Sequence, residues 1–351
     1  MPAKRGIGNV TANSELLEMA MAFGASCVLS AAARLGVADA LGDGERSASD
    51  IAVACQADAA STYRLLRAMA ALGLLQETKP QHFRLTAMGQ QLRKDAPDSA
   101  WAEVVFWADL LADMWSQLGE CVRTGKNAVR VMEKTGRTPR WSQDPNASDI
   151  FRAVMGTTRA ENYAPIAEAW PFPTSGVVAD LGGGGGALIR AVLERHAGLR
   201  GMLVDRPESI ANAEKIFSVS PVADRCLRIA ADLCEAVPPG ADVYMLKHVL
   251  HGYTDEKAVE LLRNCRRVVP TTGSLLVIEF VLPNVVSKPA PELVTRFMSD
   301  LNMMAVTGGR ERSEHDWRGL LEEAGFTLAR NVPVPEMDMS ILEARPRAMA
   351  E

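Results

Sequence analysis

The chain has 351 residues, 48% of them hydrophobic, and carries 38 Lys and Arg against 43 Asp and Glu, which gives a net charge of −5. This length and composition allow substantial hydrophobic cores and exclude a disordered or fibrous protein. The small negative charge leaves no overall positive field to attract nucleic acid, so we expect small molecules or copies of the chain itself as partners.

The six cysteines are irregularly spaced, without a C-x-x-C pattern or a matching pair of histidines. Neither a zinc site nor a disulfide framework is therefore indicated, and we expect no bound metal. The longest uncharged apolar run, Met19 to Ala33, is shorter than the ~20 residues of a bilayer-spanning helix. No leading basic region precedes it, which favours a cytoplasmic protein that does not associate with membranes.

The N-terminal half is predicted to be mostly helical. Residues 1–13 are expected to be flexible, and the Ala- and Leu-rich stretch from Leu16 to Leu41 predicts helix with apolar residues on more than one face. The following segments have the order helix, turn, helix and hairpin, which is typical of a winged helix. They are Ser49–Ala52 and Ser61–Leu72 for the helices, and Leu74–Glu77 and His82–Leu85 for the strands.

A winged helix can bind DNA, so the charge of this region matters. From Glu45 to Asp95 there are seven basic and five acidic residues, a net charge of +2 and a weak footprint for phosphate binding. We therefore expect the region to cover substrate or to form a dimer. A helix with apolar residues on several faces, as predicted from Leu16 to Leu41, has more apolar surface than one small domain can bury. A DNA-binding regulator that senses a metabolite is the alternative.

The pattern changes after Trp170-Pro171-Phe172-Pro173 to short apolar strands alternating with helices. This predicts an α/β fold with a mostly parallel sheet, and we place a helical domain at residues 14–170 and an α/β domain at 171–351. The predicted strands are Val177–Leu181, Gly201–Val204, Leu227–Ala231, Val243–Leu246, Leu275–Phe280, Phe326–Arg330 and Ser340–Glu343. The predicted helices are Ala187–Arg195, Glu256–Arg267 and one from the N-cap Ser313 to Gly325.

A run of glycines, Gly182 to Gly186, follows the first of these strands and opens a helix. Without Cβ atoms, the backbone can approach a ligand there, at the carboxyl edge of the sheet. Asp205 ends the next strand, where a carboxylate can accept hydrogen bonds from both ribose hydroxyls. Asp232 closes the third strand and could accept from an adenine amino group. The sequence therefore predicts a nucleoside-binding site.

Two cofactors fit such a site. Gly182-x-Gly184-x-x-Ala187 also satisfies the dinucleotide fingerprint, in which helix N-terminal amides bind a pyrophosphate. Asp180 lies two residues before the first glycine, where its charge would repel a pyrophosphate but would attract an ammonium group. This favours S-adenosylmethionine, which carries such a group, over NAD, and leaves a nicotinamide dehydrogenase as an alternative.

Four segments together resemble the S-adenosylmethionine-dependent O-methyltransferases of the plant caffeate type and their bacterial natural-product relatives. They are Val178–Gly184, Lys247–His251, Val277–Glu279 and Gly308–Arg312. The resemblance extends from about Ser14 to Arg345 and implies a Rossmann-like class I methyltransferase domain behind a winged-helix dimerisation domain, and hence a homodimer active in secondary metabolism. The cofactor contacts that it implies are Asp180, Gly182, Gly184, Asp205, Asp232, Leu233 and Lys247.

His251 follows the strand that ends near Lys247, at the same edge of the sheet as the glycines. An imidazole with a pKa of about 6.5 is a suitable general base at neutral pH. The resemblance assigns His251 that role, with Glu279 and Glu311 as the acids that orient it. Independently of the resemblance, Glu279 ends an apolar strand, where a carboxylate needs a partner.

We expect His251 to remove a proton from a phenolic hydroxyl while that oxygen attacks the cofactor methyl group. An apolar pocket that excludes water would favour this step, because opposite charges partly cancel and the reactants are aligned. The candidate residues for such a pocket are Phe106, Trp107, Phe151, Met155, Met298, Asn302, Met303 and Met304.

The chain departs from the family pattern at one position, because Gly252 stands where the family usually has Asp after the histidine. Asp255 lies three residues beyond Gly252 and is not assumed to substitute for that carboxylate. C-methylation, or a reaction other than methylation on the same scaffold, therefore stays open. His248 and His251 could also form an i, i+3 metal pair, although no third ligand is indicated.

Overall fold

The computed structural model describes residues 12–156 and 160–347, so most of the predicted flexible N-terminus, residues 1–11, lies outside the described part. The chain forms two compact units. The first extends as far as Asp113 and includes Pro139–Val154, and the second consists of Met114–Thr138 and the residues from Met155 onwards. The domain boundary near residue 170 falls inside the second unit and stays a prediction.

Helices dominate the part of the chain before residue 157. In chain order its elements are α1 Ala12–Leu35, α2 Val37–Leu41, β1 Arg46–Ser47, α3 Ala48–Ala54, α4 Ala59–Ala71, β2 Leu75–Lys79, β3 His82–Leu85, α5 Ala87–Gln90, α6 Trp101–Val105, a π-helix Phe106–Leu110, α7 Ala112–Trp115, α8 Leu118–Thr124, α9 Ala128–Glu133, α10 Arg140–Gln143 and α11 Ala147–Gly156.

The first unit contains the predicted winged helix. Strands β1, β3 and β2 form a small antiparallel sheet, and α3 and α4 precede the hairpin in the expected order. Ile51, Leu66, Met69 and Phe83 have no exposed surface and form its core. Each helix begins at a side chain that accepts a backbone N–H, as Ser47 does from Asp50 (3.1 Å) at the start of α3.

The stretch from Leu16 to Leu41 is two helices rather than one. Gly36, between α1 and α2, has a φ of +69°, in the left-handed region that ends a right-handed helix. In α1, apolar side chains such as Leu16, Met19 and Phe23 are exposed. By length and composition the 22 residues Ser14–Leu35 could cross a membrane. Their mean hydropathy is 1.7, and 11% of the most apolar 18-residue stretch is buried.

The part of the chain from residue 160 contains the large sheet. Its elements are a 3₁₀ turn Ala160–Tyr163, α12 Ala164–Ala169, β4 Gly176–Leu181, α13 Ala187–Arg195, β5 Leu199–Asp205, α14 Pro207–Phe217, a 3₁₀ turn Ala223–Arg225, β6 Cys226–Ala230, β7 Val243–Lys247, a 3₁₀ turn Leu250–Gly252, α15 Asp255–Val268, β8 Ser274–Glu279, β9 Val281–Leu282, a 3₁₀ turn Pro291–Leu293, α16 Val294–Val306, β10 Arg312–Ser313, α17 Glu314–Glu323, β11 Phe326–Val334, a 3₁₀ turn Pro335–Met337 and β12 Met339–Pro346.

The sheet has the strand order β11-β12-β8-β7-β4-β5-β6 among the described residues. The five strands from β8 to β6 are parallel. Strand β12 is antiparallel to β8 and to β11, so β11 runs in the same direction as the five, and the predicted mostly parallel α/β fold is confirmed. Alternate residues of each strand join two separate apolar cores. Leu203 belongs to the core that includes α13 and α14, whereas Val204 belongs to the core that includes α15 and α17.

This topology determines where the polar groups of the strands meet. The parallel strands β4, β5, β7 and β8 end at Leu181, Asp205, Lys247 and Glu279. Because carboxyl ends of parallel strands lie at one edge, the glycine turn and these side chains are gathered there.

Candidate active site

The glycine turn after β4 lies against two carboxylates. Gly184 has a φ of +56°, a conformation that favours glycine, and its N–H donates to Oδ2 of Asp205 (2.8 Å). A Cβ on Gly183 would lie 2.5 Å from Oδ2 of Asp180, too close for any side chain. The N–H of Gly182 donates to the carbonyl oxygen of Val204 on β5 (2.7 Å). The turn is therefore held between the ends of β4 and β5.

Asp180 is buried near the end of β4, and its Oδ2 has no hydrogen-bond partner among the described residues. Burial raises the pKa of this carboxyl to about 7, although the charge of Lys247 acts in the opposite direction. The Lys247 ammonium also lies 4.9 Å from the ring centre of Tyr163. A cationic ligand would supply the donor that the buried oxygen lacks.

The residues predicted to bind adenine follow β6. Because β6 ends at Ala230, Asp232 lies beyond the strand rather than at its end. Its Oδ1 accepts from the N–H of Cys234 (2.8 Å). Leu233 is buried, and its Cδ1 lies 3.8 Å from the position that a Cβ on Gly182 would take. The structure therefore brings this segment to the glycine turn.

Glu279, fully buried at the end of β8, has its partners in the turn that carries His251. Its Oε1 accepts from the N–H groups of Val249 and Leu250 (both 3.1 Å) and of His251 (3.4 Å). These amides begin the 3₁₀ turn Leu250–Gly252 and have no carbonyl partner within it, so they can stabilise the negative charge of Glu279. Burial nevertheless raises the pKa of Glu279 to about 7, against the effect of His251.

Two carboxyl groups face Nδ1 of His251. Oε1 of Glu311 lies 2.8 Å from it and Oε2 of Glu279 lies 3.7 Å from it. Burial lowers the pKa of His251, but the charges of Glu279 and Glu311 outweigh burial and raise it above its ordinary value. A carboxylate that faces Nδ1 favours the neutral tautomer with the proton on Nδ1 and the lone pair on Nε2.

Glu311 is itself held by residues that sequence reasoning missed. Ser299 on α16 donates its hydroxyl to Oε1 of Glu311 (2.7 Å), and Asp300 accepts from the Glu311 N–H (2.8 Å). Their spacing in an amphipathic helix gives no sign of this role, since the contacts link residues that are eleven and twelve positions apart.

The structure contradicts the alternative of a His248–His251 metal pair. The two rings stack with their centres 4.9 Å apart and their planes 16° apart, so their in-plane lone pairs do not converge on one ion. Ligating atoms of His251, Glu279 and Glu311 do lie within 4.8 Å of one another. In this cluster, however, His251 and Glu311 are already joined by the 2.8 Å hydrogen bond at Nδ1.

Arg312 joins the two segments that carry His251 and Glu311. It has no exposed surface, and its guanidinium donates to the carbonyl oxygens of Leu250 (3.0 Å) and Tyr253 (2.9 Å) and to Asp255 (2.8 Å). The N–H of Arg310 also donates to the His251 carbonyl oxygen (2.9 Å). The turn is thus fixed from both ends.

Asp255 does not replace the carboxylate that is absent at Gly252, because both Arg312 and Arg310 (3.6 Å) engage it. Gly252 has no atom within 4 Å of the position of a Cβ, and its φ lies outside the left-handed region. The fold therefore does not require glycine there.

The predicted acceptor-binding residues are divided between the two units. In the first unit, Phe106 and Trp107 belong to the π-helix, and the ring of Phe106 lies 6.0 Å from that of Phe151. In the second unit, Met298, Asn302, Met303 and Met304 belong to α16, and Met155 is exposed. Asn302 is buried, and its Oδ1 accepts from the indole N–H of Trp115 (3.1 Å).

A mostly parallel sheet with a glycine turn and buried acids at its carboxyl edge fits a class I methyltransferase. Residues 115–327 match the family described as O-methyltransferase domain, and residues 17–95 match the O-methyltransferase dimerisation domain. The chain belongs to this O-methyltransferase family. Its cofactor is S-adenosylmethionine, and the alternatives of a nicotinamide dehydrogenase and a transcriptional regulator are set aside.

Similar proteins span nearly the whole chain. The O-demethylpuromycin-O-methyltransferase of Streptomyces alboniger is 36% identical over 95% of this chain and 89% of its own length. The structure of mitomycin 7-O-methyltransferase is 31% identical, with a TM-score of 0.84, over 95% of this chain and 98% of that one.

A second similar structure contains ligands. It is an O-methyltransferase from neocarzinostatin biosynthesis in complex with S-adenosyl-L-homocysteine and 1,4-dihydroxy-2-naphthoic acid, 29% identical, with a TM-score of 0.77, over 97% of this chain and 100% of that one. Since the dimerisation domain match includes most of α1, the exposed apolar surface of that helix does not indicate a membrane protein.

We predict that Arg312→Met lowers the free energy of unfolding by about 3 kcal/mol, because it leaves Asp255 and buried carbonyl oxygens without their donor. Urea unfolding measures the change. The matched control is Arg318→Met, which removes only the exposed pair with Glu314 and should change stability by less than about 0.5 kcal/mol. Equal stabilities of the two variants would contradict the role given to Arg312.

Proposed function

We propose that this O-methyltransferase transfers the methyl group to a phenolic hydroxyl of a small aromatic metabolite, with His251 as the general base. The observation that carries the proposal is the 2.8 Å contact between Nδ1 of His251 and Glu311. It gives the neutral ring the tautomer that a base requires, with Nε2 able to accept a proton.

The residues at the sheet edge fit the cofactor. Asp180 offers a buried carboxylate oxygen without a donor to the ammonium group of the methionine part. Asp205 ends β5 and would hold the ribose, while Asp232 and Leu233 would hold the adenine. Gly182 and Gly184 keep the turn free of side chains, and Lys247 lies at the end of the neighbouring strand. When bound, S-adenosylmethionine supplies an electrophilic methyl group on a positively charged sulfur.

His251 takes the hydroxyl proton on Nε2 and becomes positively charged in this step. Glu311 then faces the imidazolium directly, and Glu279 lies next to it, so the two carboxyl groups stabilise the charge that the ring acquires. The turn that carries His251 is fixed by Glu279 and Arg312 before substrate arrives. The protein therefore contributes a positioned base and a preorganised counter-charge.

Apolar residues of α16 support an aromatic acceptor. Met298, Met303 and Met304 lie on the same helix as Ser299, which binds Glu311, so the helix that contacts this acid carries three thioether side chains. Met304 also lines an open groove of about 520 Å³ together with Asp300 and Glu311. Phe106, Trp107 and Phe151 supply aromatic surface on the first unit. C-methylation of an electron-rich ring is the alternative outcome, favoured by the absence of a carboxylate at Gly252.

The exposed apolar side chains of α1 support a homodimer, because a second copy of the chain would cover them. The dimerisation domain of the family includes most of this helix, from residue 17 onwards. With a net charge of −5 and reduced cysteines, we place the homodimer in the cytoplasm, without nucleic acid or membrane as a partner.

We predict that His251→Gln lowers kcat at least about 100-fold, because the amide accepts the hydroxyl proton poorly. S-adenosylhomocysteine binding, measured by calorimetry, should stay within about twofold. Acceptors such as 1,4-dihydroxy-2-naphthoic acid and substituted phenols are screened with a cofactor carrying a labelled methyl group, and the labelled atom of the product distinguishes O- from C-methylation. His315→Gln, at an exposed histidine on α17, is the matched control and should keep full activity.

Turnover by His251→Gln at the wild-type rate would contradict the assignment of the base. A product labelled on ring carbon would instead contradict the hydroxyl acceptor and leave the methyltransferase class intact.

The pH dependence gives an independent prediction. Activity needs neutral His251 and is lost as the pH falls through its pKa, which the carboxyl groups hold above the ordinary 6.5. Glu311→Gln removes one of these charges, so the acid limb of kcat/KM should move to lower pH. A limb that stays in place or moves to higher pH in this variant would show that another group controls it.

A further inference from the structure

His248 is the residue at which the chain leaves β7, and its backbone is unusual. Its φ of +52° lies in the left-handed region, where a residue with a side chain is disfavoured. Its N–H donates to the carbonyl oxygen of Ile278 on β8 (3.2 Å), so the residue is still tied to the sheet. Strained backbone of this kind persists where the surroundings demand it and is frequent near active sites.

The strained conformation places the His248 ring against His251. The two rings are nearly parallel, with centres 4.9 Å apart, and the ring of Phe280 covers His248 at 5.0 Å. Glu311 fixes the Nδ1 edge of His251, but one hydrogen bond leaves the ring free to tilt about that edge. Contact with a second ring face restricts this tilt.

His248 is suited to this task because it adds no charge. Burial, together with the positive charge of Lys247 and with His251, holds the pKa of His248 well below its usual value. A neutral ring does not compete with His251 for Glu279 and Glu311. Its Nε2 is buried and has no hydrogen-bond partner among the described residues, so packing is the interaction that the structure shows for this ring.

We propose that His248 is a positioning residue, whose ring stacks on His251 and holds the plane in which Nε2 meets the acceptor hydroxyl. The proposal rests on the proposed function of His251 as the base. It also explains why the chain keeps a residue with a ring in a backbone conformation that Gly or Asn adopts more easily.

Two substitutions separate the ring from the backbone. His248→Asn removes the ring and suits the left-handed conformation, which offsets part of the packing that is lost, so Tm should fall by no more than about 5 °C. We expect kcat to fall roughly tenfold, as for a misplaced catalytic group, with KM for S-adenosylmethionine within about twofold. His248→Phe keeps a stacking ring without nitrogen and should restore kcat to within about threefold of the wild type.

A spectroscopic readout needs no acceptor. In protein saturated with S-adenosylhomocysteine, nuclear relaxation of the His251 imidazole should show a rigid ring in the wild type and in His248→Phe, and a mobile ring in His248→Asn. The loss of one signal in His251→Gln assigns the resonance among the five histidines. Gln56→Asn is the matched control, since exposed Gln56 has the same φ of +52° in the first unit and should change neither kcat nor the ring signal.

Wild-type kcat and a rigid His251 ring in His248→Asn would overturn the proposal. So would a His248→Phe variant as slow as His248→Asn, because a nitrogen of His248 would then be the important group. A large loss of Tm in His248→Asn would make the role structural and would also overturn it. Activity of His251→Gln would instead defeat the proposed function itself, so the two failures are distinguishable.

Discussion

A carboxyl group without exposed surface, Glu279, constrains the rest of the candidate site. A buried carboxylate must find donors, and Glu279 finds them in the backbone N–H groups that begin the turn after β7. This requirement fixes the turn, and the turn carries His251. The strand end, the turn and the imidazole are therefore one unit, in which the buried acid determines where His251 lies.

The carboxyl groups at this edge of the sheet have different surroundings and therefore suit different roles. Glu279 and Glu311 face an imidazole, whereas Asp180 has a buried oxygen for which the described residues supply no donor. The first two can stabilise a charge that arises during the reaction, and the third can bind a charge that a ligand brings. Arg312 and Ser299 make the first arrangement rigid by binding the turn and Glu311. The environment of each acid, rather than its type, determines its role.

Patterns of neighbouring residues in the sequence predicted the strands of the large sheet and the glycine turn. The apolar runs predicted every strand of the large sheet to within about four residues of its ends. The central strands β4, β7 and β8 are buried on both faces, which makes them continuous apolar runs in the sequence. The glycine turn and the position of His251 followed from the rule that parallel strands end at one edge. The family resemblance supplied the pairing of His251 with Glu279 and Glu311, which no spacing rule provides.

What the sequence could not predict depends on contacts between distant residues. Arg312 binds Leu250 across 62 positions, and nothing in the pattern of a charged residue indicates complete burial. The left-handed His248 and the π-helix from Phe106 are set by surrounding packing rather than by propensity. The apolar stretch from Leu16 to Leu41 predicted one helix, but it is divided into two at Gly36.

The tautomer of neutral His251 is the property by which its role as a general base is best tested. Long-range proton–nitrogen correlations of protein labelled at its five histidines report it at a pH where the ring is neutral. We expect the proton on Nδ1, bound by Glu311, and a lone pair on Nε2. A neutral His251 with its proton on Nε2 would contradict it, since that nitrogen could not then take a proton from an acceptor.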